Sequence, residues 1–123
     1  MPGLNGTALT RGQVHAVAEV VRAVVERDEK ALGVFPGDDA DAFYAWTRDY
    51  GTYGEVHLTL PPGEPDSWAL DVTHVRGSDP AQLFVVVEMW TTEEGRSDLS
   101  LEVRLIAVGD DTWQPTAEAL HVL

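Results

Sequence analysis

Histidines are the side chains of this sequence best suited to proton transfer or metal binding near neutral pH, and the chain has four of them. His74 continues the apolar side of a predicted strand that begins near Trp68, which places it at the mouth of a pocket or at the end of the core. His57 and His121 lie on different predicted strands, without the short spacing typical of metal ligands. We therefore expect no metal and no other cofactor. A possible pocket is defined by Trp46, Trp68, His74 and Met89.

Two isolated carboxylates, Asp71 and Glu88, stand in otherwise apolar strands, where a desolvated acid could act as a general base. Alternation along each strand places both on the face opposite the core, so a solvated outer face explains them without chemistry. The sequence also lacks the glycine-framed serine of a nucleophile elbow and the glycine-rich loop that cradles phosphates. These features favour a protein that is not an enzyme and has no catalytic residues.

The densest polar group of the chain lies in a short linker between two predicted strands. It comprises Glu93, Glu94, Arg96 and Asp98, beside Trp90, and together these five residues form the candidate partner-binding site. Polar loops carried on rigid strands are common binding elements. Arg96 could equally hold the turn by pairing with Glu94 or Asp98, so both interpretations stay open. We favour a structural role for Arg96 and partner binding for Glu93.

The charge balance narrows the possible partners. With 21 Asp and Glu against 8 Lys and Arg, the formal net charge is -13, so phosphate backbones and anionic membranes are repelled. We expect no nucleic acid and no membrane as partners, and a basic protein as the possible one; solubility alone is the plainer explanation of the charge. No secretory signal and no apolar stretch of about 20 residues is present, which predicts a cytoplasmic protein. The absence of cysteine excludes disulfides and thiolate chemistry.

The elements that must position these residues begin with two helices. The chain is expected to form a single domain over residues 1–123, with residues 1–9 flexible. Thr10 and Gln13 fit a capping box, and the apolar spacing that follows predicts an amphipathic helix to about Leu32, ending at Gly33. A second, short helix is predicted from about Asp39 to Asp49, with three apolar side chains lining one face: Phe43, Trp46 and Tyr50.

From Glu55 onward the apolar period is two, which predicts an antiparallel sheet of about five strands. The Pro61–Asp66 segment is predicted to be a surface loop, and Gly109–Asp111 a turn. The strand Leu83–Trp90 is apolar on both faces and is placed at the centre of the sheet. The last strand contains Pro115, so it is bulged or lies at an edge. A possible homodimer uses an outer apolar patch formed by Phe84, Val86, Trp90 and Ile106.

The predicted fold class is therefore α+β, with two N-terminal helices packed against a curved antiparallel sheet. This order of elements, with a last strand that starts at Trp113, resembles the cystatin-like, cone-shaped fold of the nuclear transport factor two and ketosteroid isomerase superfamily. Within it, the stretch Trp90–Leu99 together with Leu120–Leu123 is similar to an uncharacterised bacterial domain family. The resemblance implies a sheet wrapped around the first helix, enclosing a cavity that holds an apolar ligand, an active site or nothing.

Two functions of different classes follow. The leading hypothesis is a non-enzymatic interaction domain, of the immunity or adaptor sort, whose acidic surface and hairpin hold a basic protein. The alternative is a pocket protein of the cone fold that binds or isomerises a small apolar molecule. An open cavity with convergent polar groups, or a filled interior, distinguishes the two.

Overall fold

The structure, a computed structural model, describes residues 9–28 and 40–122. In these residues, helical segments pack on a five-stranded antiparallel sheet. The long helix is α1, Arg11–Glu26, and two single helical turns follow at Ala40–Phe43 and Ala45–Arg48. The strands are β1 Leu58–Thr59, β2 Leu70–His74, β3 Gln82–Thr91, β4 Gly95–Gly109 and β5 Thr112–Val122, with 3-10 turns at Gly51–Tyr53 and Pro65–Ser67. The predicted α+β class is confirmed. No helix among these residues is long and apolar enough to cross a membrane.

Helix α1 begins as the capping box predicts. The Thr10 hydroxyl accepts the backbone N–H of Gln13 at 3.2 Å, and the Gln13 side chain accepts the backbone N–H of Thr10 at 2.8 Å. Together the two bonds satisfy two amides that the helix itself cannot pair. The predicted flexibility of residues 1–9 falls mainly outside the described residues, but Leu9 packs partly buried against the core.

The end of α1 differs from the prediction, because the helix stops at Glu26 rather than near Leu32. Arg27 adopts the left-handed conformation at φ 56, and the N–H groups of Arg27 and Asp28 close a Schellman motif. Tertiary contacts hold this unusual arginine, since its guanidinium lies 4.0 Å from the ring centroid of Tyr44 and donates to Thr47 at 3.1 Å. The predicted stop at Gly33 lies outside the described residues.

The second predicted helix is only partly correct. Two single turns replace one helix over the described part of Asp39–Asp49, and Tyr44 separates them. Phe43 and Tyr50 are buried, but the Trp46 side chain is 46% exposed, so the predicted common face is wrong for Trp46. The start at Asp39 lies outside the described residues. Among the described residues, no group of three or more His, Cys, Asp or Glu side chains is placed so that it could hold a metal ion.

The strand β3 lies at the centre of the sheet, as predicted from its two apolar faces. One side of β3 pairs with β4, and the other pairs with β2 and, further along, with β1. The strand β5 is at the edge and carries Pro115 opposite Leu105, which confirms the edge position predicted from the proline. A register shift opposite Glu102 and Val103 gives β5 a bulge as well.

Several element boundaries are shorter or longer than predicted. The strand predicted from Glu55 is reduced to Leu58–Thr59, and the polar linker predicted between the two long strands is shorter, because β3 runs to Thr91 and β4 starts at Gly95. The left-handed φ of +81 at Gly95 permits this tight hairpin. The turn at Gly109–Asp111 and the irregular Pro61–Asp66 segment are as predicted.

The core lies between one face of the sheet and α1. The predicted inward stripes of β3 and β4 are confirmed, since each of their members is almost completely buried: Leu83, Val85, Val87, Met89, Leu99, Leu101, Val103 and Leu105. From α1, Val17, Val21 and Val24 join the same cluster. The opposite face of the sheet carries the charged side chains, and the β3–β4 hairpin extends from this packed layer.

Candidate functional site

The tip of the β3–β4 hairpin is a three-residue loop fixed by its own polar groups. Thr91 and Gly95 face each other across the hairpin, and the Thr91 hydroxyl accepts the backbone N–H of Glu94 at 3.0 Å. The backbone N–H of Thr92 donates to the carbonyl of His57 at 2.9 Å, so the tip is also tied to the segment that leads into β1. The hairpin is thus a rigid support for its acidic side chains.

Glu93 clamps the same segment to the hairpin. Its carboxylate accepts the backbone N–H of His57 at 2.8 Å and lies 2.6 Å from Nδ1 of the His57 ring. The hydrogen bond with His57 lowers the pKa of Glu93 to about 2, and the same bond raises the pKa of His57. Glu93 therefore holds the segment before β1 against the hairpin, and its predicted role in partner binding stays a prediction.

A bulge in β4 connects the hairpin to Tyr50. The register shifts between Glu88 and Trp90, which takes the Asp98 backbone N–H out of the ladder, and the Tyr50 hydroxyl accepts that N–H at 2.7 Å. The same hydroxyl donates to Glu94 Oε1 at 2.8 Å. Burial raises the pKa of Tyr50, and the Glu94 hydrogen bond and the nearby carboxylate charges add to the increase. The phenol is therefore a fixed donor between two acidic residues.

The loop after Tyr50 turns back so that a second tyrosine lies beside it. The Tyr50 backbone N–H donates to the Gly54 carbonyl at 2.8 Å, and Gly51 and Gly54 take positive φ angles of 54 and 66. This closed loop brings the Tyr50 and Tyr53 ring centroids to 6.3 Å. Tyr53 remains 47% exposed. Two aromatic rings thus meet at the acidic side of the hairpin.

These parts form an open cleft of about 280 Å³, which we call the aromatic cleft. Its lining comprises Trp46, Tyr50, Gly51, Thr52, Tyr53, Glu94, Asp98 and Val122. A second cleft of about 220 Å³ shares Trp46 and adds Asp49. Trp46 and Tyr53 are both about half exposed, although burying such rings in a partner is favourable. The aromatic cleft is therefore a surface with unused apolar area.

The charge in the aromatic cleft is negative and uncompensated among the described residues. Glu94 is bonded through one oxygen to Tyr50, and in that part of the chain no hydrogen bond or ion pair reaches the Asp98 carboxylate. None of the described residues that line the cleft is basic. The arrangement can bind a cation.

Of the five members of the predicted hairpin site, Glu93, Arg96 and Trp90 lie apart from the lining of the cleft. Arg96 Nη1 is 3.8 Å from Glu88 Oε1, so Arg96 pairs with a residue of the neighbouring strand. The sequence had suggested Glu94 or Asp98 as its partner. Trp90 is the strand neighbour of Arg96 and lies beside Gly95, where an added Cβ would be 3.8 Å from the indole ring. The structure thus divides the hairpin into the cleft side and the Glu88 side.

The four residues of the possible pocket also have different surroundings. Met89 is completely buried and Trp68 nearly so, with the Trp68 indole N–H donating to Gly63 at 3.3 Å. His74 is exposed at the end of β2. Trp46 lines the aromatic cleft beside two members of the predicted hairpin site, Glu94 and Asp98. The structure therefore joins parts of two residue sets that the sequence kept separate.

The outer face of the sheet carries pairs of oppositely charged side chains and also the predicted dimer patch. His121 Nε2 lies 2.5 Å from Glu102, and Arg104 lies 3.4 Å from Glu118 and stacks 4.2 Å from the ring centroid of Phe84. The patch residues Phe84, Val86, Trp90 and Ile106 are half-buried, and Asp71 is exposed on β2. The homodimer stays a prediction, which sedimentation at moderate salt tests.

Among the described residues, two larger clefts border α1. One, of about 610 Å³, lies between α1 and the Glu64–Asp66 segment, and another, of about 520 Å³, lies beside the β4–β5 turn. Both include Arg11 and His15, and each also contains two acidic residues. Because both basic and acidic side chains line each of these clefts, neither cleft favours a cation over an anion, whereas the aromatic cleft favours a cation.

Sequence reasoning missed the two tyrosines of the aromatic cleft. Tyr50 was expected only on one face of the second helix, and Tyr53 was assigned no role. The signal that could have found them is the segment Tyr50–Gly54, in which two tyrosines alternate with glycines in a short polar stretch. In the structure the two tyrosines divide, since Tyr50 is buried in the core and Tyr53 is 47% exposed.

Comparison with known proteins gives a family without a described activity. No curated protein and no solved structure matches the chain. The likeness to the nuclear transport factor two superfamily therefore stays a prediction. A family model described as "Domain of unknown function (DUF7668)" matches residues 17–123, which include the core of α1, the aromatic cleft and all five strands. The chain belongs to this family of domains of unknown function.

Proposed function

We propose that this chain is a non-enzymatic interaction domain that holds a basic protein partner at its acidic hairpin. The observation that carries the proposal is the aromatic cleft, where half-exposed Trp46 and Tyr53 lie with the carboxylates of Glu94 and Asp98. Aromatic residues beside uncompensated charge are typical of binding surfaces, because their rings gain area at little cost in conformational entropy.

The charge of the whole chain supports the same class of partner. A net charge of -13 attracts basic proteins over several ångströms beyond contact and raises their association rate. Because salt screens such fields over about 8 Å at physiological ionic strength, the overall charge supplies attraction and the aromatic cleft supplies the contact.

A photo-crosslinking amino acid at Thr52, on the rim of the aromatic cleft, tests the proposal in the cells that make the protein. The control position is Thr73, which is exposed on β2. We expect Thr52, and not Thr73, to capture a protein of basic isoelectric point, identified by mass spectrometry. The double charge reversal Glu94→Lys and Asp98→Lys should abolish this product.

Three results would overturn the proposal. The first is no basic protein captured at Thr52, the second is a crosslinked product that is acidic or neutral, and the third is a basic product captured equally by the charge-reversed protein. The reversed protein must keep the circular dichroism spectrum of the wild type, so that loss of the product reports the surface rather than the fold.

A further inference from the structure

The aromatic cleft resembles the surroundings of two arginines elsewhere in this fold. Arg104 stacks 4.2 Å from the Phe84 ring centroid while donating to Gln82 at 2.7 Å and to Glu118 at 3.4 Å. Arg27 stacks 4.0 Å from the Tyr44 ring centroid while donating to Thr47. In both cases a guanidinium lies over an aromatic face with an oxygen acceptor at its edge.

The aromatic cleft offers the same two components, but the described residues supply no arginine to it. Trp46 and Tyr53 present half-exposed rings, and Glu94 and Asp98 present carboxylate oxygens beside them. From these contacts we propose that the aromatic cleft binds one arginine side chain of the partner, its guanidinium stacked on the rings and bonded to the carboxylates. This inference rests on the proposed function and names the group that the partner inserts.

The chemistry favours arginine over lysine. A guanidinium is planar, so it stacks on an aromatic face, and its fork of N–H donors matches a carboxylate. It is also less strongly hydrated than an ammonium group, so entering a cleft walled by Trp46 and Tyr53 costs less desolvation. Lysine offers a compact, strongly hydrated charge that uses the rings less well.

The cleft is already held in the shape that this requires. The Tyr50 hydroxyl donates its proton to Glu94 and accepts the Asp98 backbone N–H, which fixes the Glu94 carboxylate and the Asp98 backbone to one ring. In the described part of the chain, the second oxygen of Glu94 and both oxygens of Asp98 stay without hydrogen bonds. Because Tyr50 already holds the Glu94 carboxylate, its second oxygen loses little entropy when a donor arrives.

Three short blocked peptides that differ at one central residue test the inference. That residue is arginine, lysine or citrulline; citrulline has nearly the shape of arginine but no charge. The readout is the indole N–H resonance of Trp46, assigned by its absence in Trp46→Phe. We expect a saturable shift with the arginine peptide, binding at least threefold weaker with lysine and at least tenfold weaker with citrulline.

Matched variants locate the binding. Asp98→Asn should raise the Kd of the arginine peptide at least fivefold, equivalent to about 1 kcal/mol. Glu118→Gln, which removes a carboxylate already paired with Arg104 on the outer face, should leave it unchanged. Equal affinity for all three peptides, or equal weakening by both variants, would overturn the inference. Stronger binding of the lysine peptide would overturn it as well.

The two proposals fail separately. A basic protein captured at Thr52 without arginine selectivity would remove the arginine inference and leave the proposed function standing. Selective arginine binding without capture of any basic protein would overturn the proposed function and leave the selectivity of the cleft in place.

Discussion

Acidic side chains form hydrogen bonds at both ends of β4. Among the described residues, the two ends differ in how many carboxylate oxygens remain without a hydrogen bond. At the β4–β5 turn, Asp111 accepts the Thr10 hydroxyl, the Gly12 backbone N–H at 2.7 Å and the Trp113 indole N–H at 3.2 Å. At the hairpin, Glu93 and Glu94 are bonded to His57 and Tyr50, whereas the Asp98 carboxylate is not bonded within the described residues. Net charge therefore says little about which carboxylates are available to a partner.

The two ends also differ in how closely the backbones approach. At the turn, α1 packs so tightly that a Cβ placed on Gly12 would lie 1.8 Å from the Asp111 carbonyl oxygen. At the hairpin end, one hydrogen bond joins the backbones of Thr92 and His57, and the contacts of Glu93, Glu94 and Tyr50 run through side chains beside the aromatic cleft. The first end is built for stability, and the second combines stability with an accessible surface.

Gly12→Ala should have the largest effect, because it forces the start of α1 away from the turn. We expect a loss of about 3 kcal/mol, from overpacking and broken Asp111 contacts, despite the better helix propensity of alanine. For a domain of this size, the thermal midpoint should fall by roughly 12 °C in differential scanning calorimetry.

Gly109→Ala is the control for this comparison, since a Cβ there meets its nearest neighbour at 3.6 Å, an ordinary contact. It should change stability by less than about 1 kcal/mol. If the two alanine variants melt alike, the close approach at Gly12 does not hold the helix end.

The contrast between the ends also explains what the sequence could predict. The strand stripes and the capping box were predictable because they depend on periodicity and local hydrogen bonding, as in Leu83–Met89 and Thr10–Gln13. The end of α1 was not, since a left-handed Arg27 depends on its stacking on Tyr44, distant in sequence. A propensity rule expects glycine at such a position.

The candidate site shows the same division. Exposed polar residues in the hairpin were predictable as a group, but their individual roles depend on partners from other elements. Glu93 is engaged because His57 lies beside it, and Glu94 because Tyr50 lies below it. The β4 bulge that frees the Asp98 N–H has no sequence signal that alternation rules detect. Which carboxylates remain unused therefore had to come from the structure.

Tyr50→Phe should weaken the hairpin end by less than the change at Gly12. The variant removes the donor to Glu94 and leaves the Asp98 backbone N–H without its acceptor, which should cost about 1.5 kcal/mol. Chemical denaturation would measure the loss. Tyr53→Phe is the matched control and should change stability by less than about 0.5 kcal/mol, because that ring is half exposed. Equal losses would mean that the hydroxyl of Tyr50 does not organise the hairpin.

The two ends should respond differently to pH. Hydrogen bonds from Thr10 and Gly12 lower the pKa of Asp111, so its stabilising contribution is complete above the unfolded pKa of about 4 and is lost as the pH falls further. The pair at the hairpin has two limits. Glu93 loses its contribution as the pH falls toward 2, and His57, whose pKa is raised, loses its own as the pH rises through that higher value.

Thermal midpoints of Asp111→Asn and His57→Ala, measured against wild type from pH 2 to pH 9, test this difference. The gap for Asp111→Asn should open as the pH rises toward about 4 and stay constant above it, while the gap for His57→Ala should be largest near pH 5 to 6 and narrow on both sides. Part of the Glu93 clamp persists at high pH, because the carboxylate also accepts the residue 57 backbone N–H. A gap for His57→Ala that keeps widening above pH 8 would contradict the charged pair.

Arg96→Ala should have the smallest effect, although Arg96 lies in the densest group of charges. Its side chain is 69% exposed, that of its partner Glu88 is 44% exposed, and their closest N–O distance is 3.8 Å. Exposed pairs of this kind contribute about 0 to 0.5 kcal/mol, so the thermal midpoint should move by no more than about 2 °C.

Because Arg96 pairs on the Glu88 side of the hairpin, its loss should also leave the affinity for the arginine peptide unchanged in the same resonance titration. A fall of 1 kcal/mol or more would mean that Arg96 holds the turn after all, and a gain in peptide affinity would mean that its charge reaches the aromatic cleft. With neither change, the separation of the hairpin into a cleft side and a Glu88 side holds in solution.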